Sequence, residues 1–111
     1  MSKRKPIIYI MHPYSSDPEG NYWHSLEVCN DIVEMGGIPV NPLFFHQVDK
    51  IQHRPYAEWM SICLELLKPC DAAYRQQGKS DGATEETINC FYFKKTVLLD
   101  MDKLKEYIER F

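Results

Sequence analysis

The sequence predicts an α/β fold with helices on both faces of a small parallel sheet, and three observations carry that expectation. Ile7-Ile8-Tyr9-Ile10-Met11 is a continuous apolar run of strand length, the pattern of a central strand buried on both faces. Short strand-like runs recur at Ile38 to Pro42, Asp71 to Arg75 and Thr96 to Leu99. Helix-like segments follow each of them, so the order reads β-α-β-α-β-α-β-α. The expected class is a flavodoxin/Rossmann-like three-layer sandwich with a parallel sheet of four or five strands. Right-handed crossovers put the loops after the first and third strands at the carboxyl edge, where open α/β sheets bind ligands. A chain of 111 residues is enough for one such domain, spanning 1–111, and too short for two.

Each element has a local cause. After the first strand, Pro13, Ser15, Ser16, Asp17, Pro18 and Gly20 break regular structure. Helical spacing returns from Asn21 to Met35, with Asn21 as N-cap and Trp23, Leu26, Cys29 or Asn30, and Val33 as the apolar face. Gly36-Gly37 stops this helix. Two prolines make Ile38-Pro39-Val40-Asn41-Pro42 an edge strand or one that ends early. Leu43 to His53 fits neither period, and its Phe44-Phe45 pair suits packing under a site or at an interface. Pro55 suits the first turn of a helix whose apolar face is Trp59, Ile62, Cys63, Leu66 and Leu67. Pro69 ends that helix. A turn from Gly78 to Gly82 leads into a helix starting near Asp81, with Thr84, Ile88, Phe91 and Tyr92 available for packing. The last helix runs from Asp102 to Phe111, with Leu104, Tyr107, Ile108 and Phe111 on its apolar side.

Composition narrows the function. The formal charge is -3, and Lys3-Arg4-Lys5 is the sole basic cluster, so a nucleic-acid polymer is not the expected partner. No apolar stretch approaches the roughly 20 residues that span a bilayer, and the five-residue Ile7 to Met11 run is too short for a secretory leader. Cys29, Cys63, Cys70 and Cys90 form no C-x-x-C pair and sit among apolar residues. They read as buried free thiols in a reducing, cytoplasmic setting. His12, His24, His46 and His53 lack metal-ligand spacing, so neither metal nor cofactor is expected.

Two loops carry the candidate chemistry. The segment from Gly78 to Glu86 offers small residues at a helix start, where backbone N–H groups can meet an anion. Glu86 lies four residues after Gly82, about one turn, so a ligand touching Gly82 would meet Glu86 from the same side. There Glu86 would serve as a nucleophile toward an anomeric carbon or as a group stabilising positive charge on a sugar ring; elsewhere it would be a solvated helix glutamate. The first loop supplies His12, Tyr14, Ser15, Ser16 and Asp17, suited to sugar hydroxyls or phosphate, although a plain Pro-rich turn has the same composition. Tyr14 could bond a ligand or a catalytic carboxylate, or pack as an ordinary tyrosine. Arg75 and Lys79 could neutralise a 5′-phosphate or be surface charge. Walker and dinucleotide fingerprints are both absent.

Tyr9-Ile10-Met11-His12-Pro13-Tyr14-Ser15, then Asn21, then Gly36 or Gly37 with Pro39 and Pro42, then Trp59, then Cys70-Asp71, then Ser80, Gly82, Ala83 and Glu86 follow one another in a characteristic order. In this the chain resembles small bacterial and phage members of the nucleoside 2-deoxyribosyltransferase-like superfamily, over about residues 6–100. The resemblance implies cleavage or transfer of the N-glycosidic bond of a 2′-deoxynucleoside or its 5′-monophosphate. It implies Glu86 as the nucleophile on C1′, with the first loop, including Tyr14 and Ser15, holding the sugar or orienting Glu86. His12, Ser15, Ser16, Asn21, Lys79, Ser80, Gly82 and Ala83 would bind substrate, and the protein would be a homodimer or larger homo-oligomer. The chain departs from the family at three places. Met11-His12 replaces a small pair, so its bulk would narrow the sugar pocket. The third-strand loop lacks a Gly-Trp pair. Ser80 stands where transferases often carry an aspartate that assists the leaving base. A nucleotide-binding or sensing module without turnover, and a structural or partner-binding protein that keeps the fold, are the alternatives.

Overall fold

A computed structural model of the chain describes residues 4–78 and 81–111; the side chains of residues 81–83, 85 and 91 fall outside that description. The strands are β1 (Ile7–Met11), β2 (Ile38–Val40), β3 (Ala72–Arg75) and β4 (Thr96–Leu98). The helices are α1 (Pro18–Met35), α2 (Phe45–Ile51), α3 (Tyr56–Leu67), α4 (Asp81–Tyr92) and α5 (Met101–Arg110), with a single 3-10 turn over Pro42–Phe44. The sheet order is β2-β1-β3-β4 and every pairing is parallel. This is the expected flavodoxin/Rossmann-like sandwich, with four strands. The chain turns one way from β1 to β2 and the other way from β1 to β3. The crevice between the loops after β1 and β3 is therefore the topological switch point.

Alternation along β1 divides the core in two. Ile8 and Ile10 face α1 and α5, packing with Val28, Ile32, Leu104 and Ile108. Tyr9 and Met11 face the other way, packing with Leu67 of α3 and Cys90 of α4. These four of the five β1 side chains are fully buried, as a central parallel strand requires. At its start, Asp71 accepts hydrogen bonds from the Ile7 amide (2.7 Å) and from both terminal nitrogens of Arg4 (2.8 and 2.7 Å). These bonds hold Asp71 at the amino end of the sheet, away from the carboxyl edge.

Several elements differ from their sequence expectation. Helix α1 begins at Pro18, capped by Asp17, whose Oδ1 accepts from the Gly20 amide. Asn21 is inside its first turn and ties the loop instead, donating from Nδ2 to Tyr14 O and Ser16 Oγ. The buried face of α1 is Ser25, Val28 and Ile32, whereas Trp23 and Val33 are exposed. Ser25 wins the inner position because its hydroxyl is satisfied there, donating to Tyr22 O and accepting from Asn41 Nδ2. Gly36 stops the helix as expected, in the left-handed region at φ 94°. The unclassified stretch after β2 folds as the 3-10 turn and the short α2, and Pro55 precedes α3 as its N-cap residue. In α4, Ile88 and Tyr92 are exposed, and Glu86 and Cys90 are buried in their place.

Strand β2 is an edge strand, as its prolines predict. Ile38 turns its amide inward to Pro6 O, so the next residue, Pro39, faces outward where no ladder bond is lost.

Candidate active site

The first loop leaves β1 and crosses the carboxyl edge of the sheet. The loop after β3 packs onto it at Gly78, which adopts φ 136° and lies so close to Pro13 that a Cβ would stand 2.8 Å from the proline Cγ. Beside this junction a cavity of about 300 Å³ opens between the first loop, α2, α3 and α4. That volume is at the lower end of small-molecule sites.

Glu86 forms part of its wall while remaining buried. Tyr9 explains how a carboxylate is held there. Its side chain crosses the core on the α4 side of the sheet, and its hydroxyl donates to Glu86 Oε2. Burial first, and the Glu86 charge second, drive the Tyr9 pKa far upward, so the phenol keeps its proton and acts as donor. Thr87, next to Glu86, donates to Met11 Sδ and fastens α4 to β1. Cys63 of α3 also lines the cavity; burial and then the negative charge of Glu86 push its thiol up to about 11.

Aromatic and basic groups form the opposite wall. Phe45 stacks on Trp59 with ring centroids 5.1 Å apart, and the Arg54 guanidinium lies 5.5 Å over the indole. Trp59 Nε1 donates to Asp49 Oδ1 at 2.7 Å, which fixes the indole plane. Bonds from His53, from the Arg54 amide and from Trp59, in that order, lower the Asp49 pKa to about 2. A flat aromatic surface beside a guanidinium suits a heterocycle or an anionic group.

Two histidines complete the site. His12 Nδ1 donates to the Pro13 carbonyl at 2.7 Å, and its Nε2 meets His24 Nδ1 at 2.6 Å. Burial is the main cause of a lowered His12 pKa, the Pro13 bond opposing it and the second histidine adding to it, so the ring is neutral near pH 7. His46 bridges Tyr14 OH at 2.5 Å and Glu19 Oε1 at 2.7 Å.

Solved structures share this frame. A 2-deoxyribosyltransferase from Leishmania mexicana superposes with a TM-score of 0.63 at 18% identity, covering 84% of this chain and 62% of its own. A 2-deoxyribosyltransferase from the psychrotolerant bacterium Bacillus psychrosaccharolyticus gives 0.62 at 19% identity, covering 82% and 69%. The chain has the 2-deoxyribosyltransferase fold. It spans 62% of the length of the Leishmania protein. No protein-family model matches the sequence, and no curated protein sequence does.

Within this deoxyribosyltransferase fold, His12, Tyr14, Ser15 and Glu86 meet on one cavity. Ser16 and Asn21 bond to each other beside it and brace the loop. Lys79 and Ser80 lie outside the described residues, as do the side-chain surroundings of Gly82 and Ala83. Arg75 turns its guanidinium onto Thr87 Oγ1 (3.1 Å) and Thr84 Oγ1 (3.3 Å), bracing α4. Met11 is buried in the core, so its bulk does not narrow the cavity; His12 alone of that pair reaches it. Sequence reasoning passed over Tyr9, His46, Asp49 and Arg54 as site residues. One signal pointed to Tyr9: a phenol in a doubly covered strand needs a buried hydrogen-bond acceptor. Among the described residues no helix is long and apolar enough to cross a membrane, and no group of three His, Cys, Asp or Glu is placed to hold a metal.

Proposed function

We propose that the protein cleaves or transfers the N-glycosidic bond of a 2′-deoxynucleoside or its 5′-monophosphate, with Glu86 as nucleophile. The observation that carries this reading is a buried carboxylate on a cavity wall, held by a phenol donor at the switch point of a deoxyribosyltransferase fold. The Tyr9 hydrogen bond restricts the rotation of this carboxylate, whose ionised oxygens carry the lone pairs for attack at C1′. The base would lie toward Trp59 and Phe45, and Arg54 would offer charge to a 5′-phosphate. Departure of the base leaves a glycosyl ester on Glu86, which water or a second base resolves. A homodimer or larger homo-oligomer, with the site at a subunit boundary, belongs to this proposal.

The test is base release from a panel of 2′-deoxynucleosides and their 5′-monophosphates, with and without an acceptor base. The intact protein is expected to release base, and Glu86→Gln to lose the activity. Tight nucleotide binding with no release would instead assign the cavity to a sensing role.

A further inference from the structure

We propose that Glu19, His46 and Tyr14 form a proton-donating relay at the cavity wall, and that Tyr14 protonates the departing base. The inference rests on the glycosidic reading above. Cleavage by a carboxylate nucleophile needs an acid on the base, because an unprotonated purine or pyrimidine is a poor leaving group. Glu86 and Tyr9 are already committed to the sugar side.

The relay is continuous. Tyr14 lines the cavity, and its hydroxyl is 2.5 Å from His46 Nδ1. His46 Nε2 is 2.7 Å from Glu19 Oε1, which also accepts from Lys50 Nζ at 2.7 Å. Exposure changes sharply along it: the His46 side chain is 7% exposed and that of Glu19 58%. Because a carboxylate only accepts, His46 Nε2 carries a proton, and the state of Nδ1 decides what Tyr14 does. With neutral His46, the Tyr14 hydroxyl donates to Nδ1 and is turned from the cavity. With the imidazolium, Nδ1–H donates to the Tyr14 oxygen, and the hydroxyl proton is released toward a ligand. The groups facing His46 are Tyr14 in the first loop and Glu19 and Tyr22 on α1, with Lys50 of α2 paired to Glu19, while the charge of Asp49 acts on Tyr14. Burial, then the Asp49 and Glu19 charges, raise the Tyr14 pKa, which keeps the phenol protonated until it is used.

The step balances. As the C1′–N bond breaks, its electron pair moves onto the base and a Glu86 oxygen bonds to C1′. The Tyr14 proton passes to the base, and the His46 Nδ1 proton passes to the Tyr14 oxygen. His46 is left neutral, keeping its Nε2 proton and still donating it to Glu19 Oε1. Once the base has left, water entering the cavity returns a proton through the Tyr14 oxygen to Nδ1, and the Glu19 carboxylate stabilises the imidazolium so formed.

The experiment compares two substrates: 2′-deoxyadenosine, and 7-methyl-2′-deoxyguanosine, whose cationic base departs neutral without a proton. Intact protein, Tyr14→Phe, His46→Ala and Glu19→Gln are assayed on both. In Tyr14→Phe and His46→Ala the ratio of kcat on the methylated substrate to kcat on deoxyadenosine is expected to rise roughly 100-fold, the scale of general acid catalysis. Glu19→Gln, at the exposed end and remote from the cavity wall, is expected to raise the ratio less. A ratio unchanged in all three variants overturns the relay while leaving glycosidic cleavage standing. No release from either substrate by the intact protein overturns the glycosidic reading and the relay with it.

Discussion

Tyr9 and Glu86 are 77 positions apart in the chain and joined by one hydrogen bond. At the scale of the residue this contact sets the strongest expectation. Tyr9→Phe keeps the ring that fills the core and removes only the donor. Base release should fall roughly 10- to 100-fold, the worth of one hydrogen bond to a charged group, with far-UV circular dichroism unchanged. Steady-state kinetics on the most active substrate of the panel reads it, and an unchanged kcat would show that the phenol does not hold the proposed nucleophile. Glu86 itself was legible in the sequence because its spacing from Gly82 is a helical turn. Tyr9 was hidden in a run that reads as uniformly apolar. His46 was hidden differently: its neighbours in space, Tyr14 and Glu19, come from segments far from it in sequence, so only metal spacing could be read from it.

At the scale of the element, the site depends on two junctions. Gly78 combines a left-handed backbone with contact to Pro13. Gly78→Ala should destabilise the protein by about 1–3 kcal/mol and should also weaken nucleotide binding, since it pushes the two loops apart. Chemical denaturation and a binding titration of the same variant read both effects; loss of stability with unchanged binding would show that the loops adjust independently. At the opposite end of the sheet, Asp71→Ala removes the acceptor for Ile7 and Arg4. It should cost about 1–3 kcal/mol in the same denaturation experiment while leaving kcat intact, because that end of the sheet is remote from the cavity. Strands and most helix ends were legible at this scale, since Gly36, Pro69 and the apolar runs act locally. The start of α1 was missed because Asp17 and Asn21 are both competent caps, and only the loop's own hydrogen bonds choose between them. The seven-residue α2 is too short to display a period.

At the scale of the whole molecule, the two sides of the sheet differ in chemistry. The α1 and α5 side is mainly aliphatic, with Tyr74 in its core and Cys29 packed against it, whereas the α3 and α4 side holds Cys63, Cys70 and Cys90. Burial, the first cause in each case, raises these thiols from an ordinary 9.0 to about 11. In the unfolded chain they lose their protons first, so between about pH 9 and 11 the unfolded state binds fewer protons. Stability contributed by the neutral thiols is therefore complete below pH 9 and declines as pH rises toward 11. Midpoints of urea denaturation should fall across that window, and replacing the three cysteines with alanine should flatten the fall. The parallel order and three layers were legible from the alternation of runs. Which side of the sheet would carry three of the four thiols and the cavity was not, because that follows from crossover packing.

The outward-facing Pro39 has a consequence for how the molecule meets its neighbours. A bare strand at the rim of a sheet is a template on which another chain can crystallise as an extra strand. Here the rim is three residues long, and the middle residue has no amide hydrogen to offer. Sheet-on-sheet polymerisation is thus blocked on that flank, so copies of this protein that associate there must do so through side chains rather than through backbone.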